Sequence, residues 1–422
     1  MNSIGAGEII VVGTLDTKGD EIAYVRHLLL DSGARPLVVD VGVLGSPPFA
    51  ADVTREQIAA EAGRRIDTFS AGQDRGQAMA LMEAGLVAWL QARLQVKPPL
   101  GILAIGGSAG TAIATAGMRQ CPLGLPKLMV STMASGNTRP YVGNSDICMM
   151  YSVADLAGLN RFTRLILSNA VNAILGMTGL RTAKPNQPTS ARPLVAATMF
   201  GVTTPCVNRV KTLLESHGVD LMIFHATGSG GQAMEQLVRD GYFEGVLDIT
   251  TTELADELAG GILAAGPERM EIAGRMRLPQ VISVGALDMV NFGPPSTVPE
   301  RCQGRLLYAH NSNITLMRTT ADENSQLGRM IAGKASASKG SVTIVLPTGG
   351  VSAIDAPGHI FYDPEADRAL FDAIRAGVSS NVKVVEMDVH INDPEFAGRI
   401  VSEYIAIRGE REDAPNARAV PA

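Results

Sequence analysis

Two stretches near the start of the chain combine glycine, hydroxyl and charged residues in the manner of an anion site. GTLDTKG at 13–19 follows the apolar run EIIVV at 8–12, and GGSAGT at 106–111 follows ILAI at 102–105. Each apolar run reads as a strand that stops just before a helix. That junction offers backbone N–H groups and the positive end of the helix dipole to a bound anion. In the first stretch Gly13, Thr14, Asp16 and Lys18 are the candidates. In the second, Gly106, Gly107 and Gly110 let the backbone approach a phosphate, while Ser108 and Thr111 add hydroxyl donors. A third turn, STMASGN at 131–137, supplies Ser131, Ser135, Gly136 and Asn137. Lys18 is either a point charge on phosphate or a solvated surface residue. Asp16 and Asp146 are either ligands of a nucleotide's Mg²⁺ or caps of helices and turns.

The second half carries a different set. FHATGSGG at 224–231 places His225 beside a glycine loop, DITTTE at 248–253 sets three threonines before Glu253, DMVN begins at Asp288, and LMRTT holds Arg318. With Asp248 and His310, these residues form a pool suited to acid–base work or to gripping a carboxylate or phosphate. His225, Glu253 and Asp288 are the candidate bases. Arg318 is flanked by apolar residues, so it needs an anionic partner, either a substrate or a protein carboxylate. The stretch GRMIAGKA at 328–335 has the G-x4-G-K spacing of a phosphate loop, but Ala335 replaces the required Ser or Thr and the stretch lies inside a helical pattern. It is rejected.

Positioning these residues requires alternating strands and helices. In the first half, strands are expected at 9–14, 36–41, 102–105 and 127–131, and helices at 20–30, 54–63, 76–96, 108–118 and 161–175, with Thr54 as an N-cap. In the second half, strands are expected at 194–198, 220–225, 245–249, 280–284, 305–309, 342–346 and 382–389. The helices between them fall at 207–216, 232–239, 253–259, 323–334 and 366–376. Continuous apolar strands between helices predict an α/β fold: two Rossmann-like subdomains, mostly parallel sheets covered by helices, and a cleft between them. The AKPNQPTSARP stretch marks a linker at 184–193. The domains are then 1–183 and 194–408, with a polar tail at 409–422. Val25, Leu28, Leu29 and Gly33 match Val210, Leu213, Leu214 and Gly218 at one constant offset, a match equally compatible with duplication and with a shared α/β pattern. Thr203 then stands where the first half has Lys18.

The chain of 422 residues is 46% hydrophobic and 18% charged, with a net charge of −6. That charge disfavours a nucleic-acid surface. Four separated cysteines without CxxC spacing fit a reducing cytoplasm, and neither a signal peptide nor an apolar run long enough to cross a membrane is visible.

Read together, GTLDTKG, AIGGSAGTAIAT, STMASGNTRPYVGNSDI, FHATGSGGQAMEQL, DITTTELADEL and SVGALDMVNFG resemble the family of the ATP-binding domain of the tomato mosaic virus resistance protein, over about residues 9–405. The resemblance implies ATP on the N-terminal subdomain, with Mg²⁺, and a homodimer. The expected function is an ATP-dependent enzyme acting on a small anionic metabolite held by the second subdomain. The alternatives are a nucleotide-regulated binding module without turnover and an enzyme whose loops bind substrate phosphate.

Overall fold

Short apolar runs rich in Val and Ile form the strands, and the longer amphipathic stretches form the helices. The computed structural model describes residues 7–64, 75–156, 158–179 and 192–412. It divides into two compact units, Met1–Gln187 and Pro188–Ala422. The linker expected at 184–193 falls almost wholly outside the described residues.

The first unit runs β1 (Glu8–Gly13), α1 (Leu15–Asp31), β2 (Arg35–Asp40), α2 (Arg55–Glu61), α3 (Arg75–Val96), β3 (Gly101–Gly106), α4 (Ser108–Met118), β4 (Lys127–Ser131), α5 (Arg139–Val142), β5 (Cys148–Tyr151) and α6 (Arg161–Met177). Its five strands are all parallel, in the order β2-β1-β3-β4-β5. Alternate residues serve opposite faces. Ile9, Val11, Leu103 and Ile105 pack with Ile22 and Val25 of α1 and with Ile174 of α6, whereas Ile10, Val12, Ile102 and Ala104 pack with Met82 and Leu86 of α3 and Ile113 of α4.

The second unit runs β6 (Leu194–Met199), α7 (Thr204–Ser216), β7 (Asp220–His225), α8 (Ser229–Arg239), β8 (Gly245–Thr250), α9 (Thr252–Ala259), α10 (Ile272–Arg275), β9 (Gln280–Gly285), β10 (Met289–Phe292), β11 (Leu307–Asn311), β12 (Ile314–Arg318), α11 (Ala321–Ser336), β13 (Val342–Pro347), α12 (Pro364–Gly377), β14 (Val382–Met387) and α13 (Pro394–Glu412). Its six-stranded parallel sheet has the order β14-β13-β9-β8-β6-β7. Counted along the chain within each parallel sheet, both sheets begin 2-1-3-4-5, so the likeness of the halves extends from sequence to topology.

Three features differ from expectation. GTLDTKG is not a loop. Leu15 already opens α1, and the helix is interrupted at Lys18 (φ −130°, ψ 22°) before it continues. Thr203, Lys18's counterpart, has a nearly identical backbone (φ −120°, ψ 4°) at the start of α7. Second, β10, β12 and β11 form a small antiparallel sheet between β9 and β13, where only the strand at 305–309 was expected. Third, α13 continues to Glu412, through the first residues of the expected tail. Residues 413–422 lie outside the described residues.

The rejected phosphate-loop spacing lies within α11, where Gly328 faces α12. A Cβ at Gly328 would sit 2.6 Å from the Leu370 carbonyl oxygen and 2.7 Å from Ala373 Cβ. Lys334 is paired with Glu271 at 2.7 Å. Gly328→Ala should therefore cost about 1–3 kcal/mol, read from the shift of the urea unfolding midpoint. The glycine serves helix packing, so the substitution should leave anion binding unchanged.

Candidate functional site

In a doubly wound sheet the loops after neighbouring strands diverge where the strand order reverses, and ligands bind in that crevice. In the first unit the crevice lies between β1 and β3, so it is flanked by the N-termini of α1 and α4. The two helix starts are satisfied differently. The Asp40 carboxylate, at the end of β2, accepts from the Leu15 N–H at 3.0 Å and the Gly42 N–H at 2.9 Å. Burial pushes the Asp40 carboxyl up from its ordinary range, and those two donors oppose the shift. A protein carboxylate thus already occupies the start of α1.

Among the described residues, the start of α4 has no such occupant. Its N-cap, Gly107, provides no side chain, and the first intrahelical bond runs from Thr111 N–H to the Gly107 carbonyl. The Ser108, Ala109 and Gly110 N–H groups therefore precede any intrahelical partner. They border a cavity of about 600 Å³. Thr14, Thr17, Ser108 and Thr132 give it hydroxyl groups, and Val41, Val43, Met79 and Ile113 give it an apolar wall. Thr14 and Thr17 hydroxyls share a hydrogen bond of 2.7 Å. Asp16 also lines the cavity. Its Oδ2 accepts from Leu44 N–H at 2.6 Å, and its Oδ1 is buried without a partner.

Of the anion-site candidates, Thr14, Asp16, Lys18, Gly107, Ser108 and Gly110 line this cavity. Gly13 and Gly106 sit behind it. A Cβ on Gly106 would lie 2.9 Å from Gly110 Cα, so glycine there lets α4 close on the strand end. Thr111 and Ser131 lie a layer deeper, both fully buried, with hydroxyls 2.6 Å apart. Ser135, Gly136 and Asn137 are exposed in the turn after β4 and do not line the cavity; Asn137 Oδ1 accepts from Arg139 N–H at 3.2 Å. Asp146 is at the wrong edge. It precedes β5, pairs with Lys127 at 2.6 Å and accepts from Gly124 N–H at 2.8 Å, all at strand N-termini, about 15 Å along the sheet from the crevice. Asp16 and Asp146 therefore do not share a metal, and among the described residues no group of three or more His, Cys, Asp or Glu is arranged to hold one.

The cavity also uses residues that the sequence reading passed over. Val41 and Val43 follow β2, Tyr151 ends β5, and Val153, Ala154 and Asp155 follow it. Their signal was positional, since every loop after a parallel strand reaches the same edge. β5 is only CMMY, and without it the segment behind it had no edge to belong to.

In the second unit the corresponding polar groups are committed internally. Glu253 is buried and accepts from Gly228 N–H at 2.8 Å and Gly231 N–H at 3.0 Å, so its carboxylate fills the glycine loop's anion position. Arg269 Nε donates to the other Glu253 oxygen at 2.8 Å and also pairs with Asp248 at 2.6 Å and Glu235 at 3.0 Å. The threonine run points inward. Thr250 bonds Thr203 at 2.7 Å, while Thr251 and Thr252 donate to the Ser283 and Met289 carbonyls at 3.1 and 3.3 Å.

Arg318 finds its anion within the protein. It pairs with Asp367 at 2.7 Å, approaches Asp355 at 3.7 Å and donates to the Phe361 carbonyl at 2.8 Å. Asp288 joins this cluster and accepts from the Ser352 hydroxyl at 2.7 Å. Burial and the neighbouring Asp355 push the Asp288 carboxyl up to about 7. His225 is exposed at the end of edge strand β7, and β6 and β8 intervene before β9. That spacing puts His225 about 14 Å from the Asp288 loop. The four acid–base candidates thus do not form one constellation.

Asp256 gives a clean pH signature. It is fully buried, its acceptors are filled by Leu263 N–H and by the Asn291 backbone and side-chain amides, and burial pushes it up to about 7. A carboxyl with a raised folded-state pKa contributes stability that is present below its unfolded value near 4 and lost as pH rises through about 7. In Asp256→Asn the Asn291 amide can turn its unpartnered Oδ1 toward the new donor. The stability difference between the variant and the wild type should therefore shift in the variant's favour between about pH 4 and pH 7, measured by urea unfolding at each pH. Glu253→Gln should instead destabilise by about 1–3 kcal/mol at neutral pH, because the amide must turn a donor either toward the Gly228 and Gly231 N–H groups or toward Arg269 Nε.

Among the described residues no helix is long and apolar enough to cross a membrane. Models of the N-terminal and C-terminal domains of the uncharacterised protein family UPF0261 match residues 7–183 and 192–408. A UPF0261 protein of Clostridium tetani is 47% identical over 399 residues, covering 94% of this chain and 98% of that protein. One from Rhizobium meliloti is 48% identical over 398 residues, again 94% and 98% of the two chains. The tomato ToMV resistance protein Tm-1(GCR237) is 44% identical over 337 residues, which are 79% of this chain and 45% of the tomato protein. A solved UDP-N-acetylglucosamine 2-epimerase from Rickettsia bellii overlaps 96% of each chain at 10% identity, but its TM-score of 0.23 carries no argument. The resemblance to the tomato protein thus holds as kinship, while its ATP-binding label is no part of the matched family description. With both of its units matched and relatives aligned over nearly their whole length, this chain belongs to the UPF0261 family.

Proposed function

We propose that the first unit binds ATP in the cavity between β1 and β3, with the phosphates on the start of α4. The observation that carries this reading is the uncapped N-terminus of α4, which opens into a cavity with hydroxyls on one side and an apolar wall on the other. Backbone N–H groups and the helix dipole suit phosphate, and Val41, Val43, Met79 and Ile113 suit the face of a base. The unpartnered Oδ1 of Asp16 fits a Mg²⁺ that accompanies the phosphates, directly or through water. Such an ion would neutralise phosphate charge.

Whether the nucleotide is turned over is a separate part of the proposal. An ATP-dependent enzyme acting on a small anionic metabolite remains the first reading, in a homodimer as the family resemblance implies and in the cytoplasm that the separated cysteines fit. A nucleotide-regulated binding module is favoured by one observation. Glu253, Asp288 and Arg318, which would have served a substrate, are held by Arg269, Ser352 and Asp367. Release of ADP or AMP from ATP in the presence of small carboxylic acids and amines, set against ATP-dependent dimerisation without release, separates the two readings.

The cradle itself is tested by Gly107→Asp. The backbone there (φ −79°, ψ −157°) accepts any residue, and the space around a new Cβ is open apart from Thr132 Oγ1 at 3.9 Å. An N-cap aspartate would cover the open N–H groups itself and stabilise α4. Calorimetric titration with Mg-ATP should show at least about tenfold weaker binding, roughly 1.4 kcal/mol, with an unfolding temperature equal to or above that of the wild type. Wild-type affinity in this variant would rule out α4 as the phosphate site.

A further inference from the structure

Among the described residues, the one lysine on the cavity wall is already paired. Lys18 is largely buried, and its Nζ donates to Asp155 Oδ1 at 3.2 Å and to the Leu156 carbonyl. Asp155 is 69% exposed, and Lys18 is its bonded partner. Both residues line the cavity, Lys18 at the break in α1 and Asp155 on the segment 152–156 that follows β5.

That segment is under backbone strain. Val153 has φ 65°, in the left-handed region that a β-branched residue rarely enters, and its side chain is 58% exposed, so burial gives no reason for the conformation. A tight turn closes around it, with Ala154 N–H donating to the Ser152 carbonyl at 2.7 Å. Upstream, Ser152 is buried and its N–H donates to the Ser131 carbonyl at 3.2 Å. Downstream, Leu156 is in the core and Gly158 N–H donates to Glu21 of α1 at 2.6 Å. Only Val153, Ala154 and Asp155 stand out from these anchors, and Asp155 reaches back to the lysine.

We infer that Asp155 occupies Lys18 in place of the ligand's phosphate, so that anion binding exchanges one ion pair for another and releases the 153–155 turn. The inference rests on the nucleotide reading above and adds its regulation: the site has a built-in competitor whose removal raises affinity. An anion on the α4 cradle faces the same wall as Lys18, and a phosphate offers the ammonium more charge and more acceptor atoms than one solvated carboxylate. Release also relieves the Val153 backbone.

The test is a double-mutant cycle on the full chain, titrated calorimetrically with Mg-ATP, with unfolding temperatures recorded for every variant. Asp155→Ala removes an exposed carboxylate and should tighten ATP binding about two- to fivefold, the range expected for a solvated ion pair. Lys18→Met should weaken binding about tenfold. In the Lys18→Met background, Asp155→Ala should have no further effect. Unchanged or weaker binding in Asp155→Ala, or an Asp155→Ala effect that persists without Lys18, would overturn the competitor role while leaving the ATP site standing. Absence of ATP binding by the wild type would overturn the nucleotide reading and this inference with it.

Discussion

Every helix begins with backbone N–H groups that have no partner within the helix, and the functional character of this chain follows from what is placed against them. The structure meets the demand in three ways and leaves it open in a fourth place. Thr54 and Gln57 close α2 with a reciprocal cap. Asp40 reaches from the end of β2 to the start of α1. Glu253 crosses from α9 to the glycine loop at the start of α8. At α4 no side chain answers the demand, and the cavity opens there. The same sheet topology thus yields one unit with an open anion position and one whose glycine loop is closed by its own carboxylate.

That closure explains why the second unit looked chemically richer than it is. Buried carboxylates need compensation, and their partners are charged or polar residues of the same unit. Arg269 gathers Glu235, Asp248 and Glu253, while Arg318 gathers Asp355 and Asp367 near Asp288. Read along the chain, such residues resemble catalysts, because polar side chains at strand ends are what both catalysis and buried ion clusters require. Distances separate the two cases. Arg269 is held on three sides at 2.6–3.0 Å and has no side left for a substrate.

The elements were legible wherever the pattern was local. The helix at 108–118, the strands at 127–131 and 220–225 and the Thr54 cap were read at their true bounds, because apolar runs, glycine stops and capping residues act over a few positions. Long-range partners were not legible. The Asp40 bond to Leu15 spans 25 positions and the Lys18 bond to Asp155 spans 137. Neither leaves a periodic trace. For the same reason the first glycine stretch reads as open as the second, although its helix start is already occupied. Asp146 was misplaced because spacing alone does not tell which end of a strand a neighbouring loop adjoins.

Arg269 also shapes how the second unit can change over generations. Vacating the glycine loop for a phosphate means losing the Glu253 carboxylate, yet that carboxylate balances a guanidinium with 2% exposure. Loss of Arg269 alone leaves three buried carboxylates without their shared cation, and loss of Glu253 alone leaves Arg269 Nε and the Gly228 and Gly231 N–H groups without their acceptor, so both single steps cost stability. A joint loss of the two still leaves Asp248 and Glu235 without their cation. The two units share a topology, but a substitution tolerated at the open loop of the first is barred at the closed loop of the second. The closed loop is therefore harder to turn into an anion site than its likeness to the open one suggests.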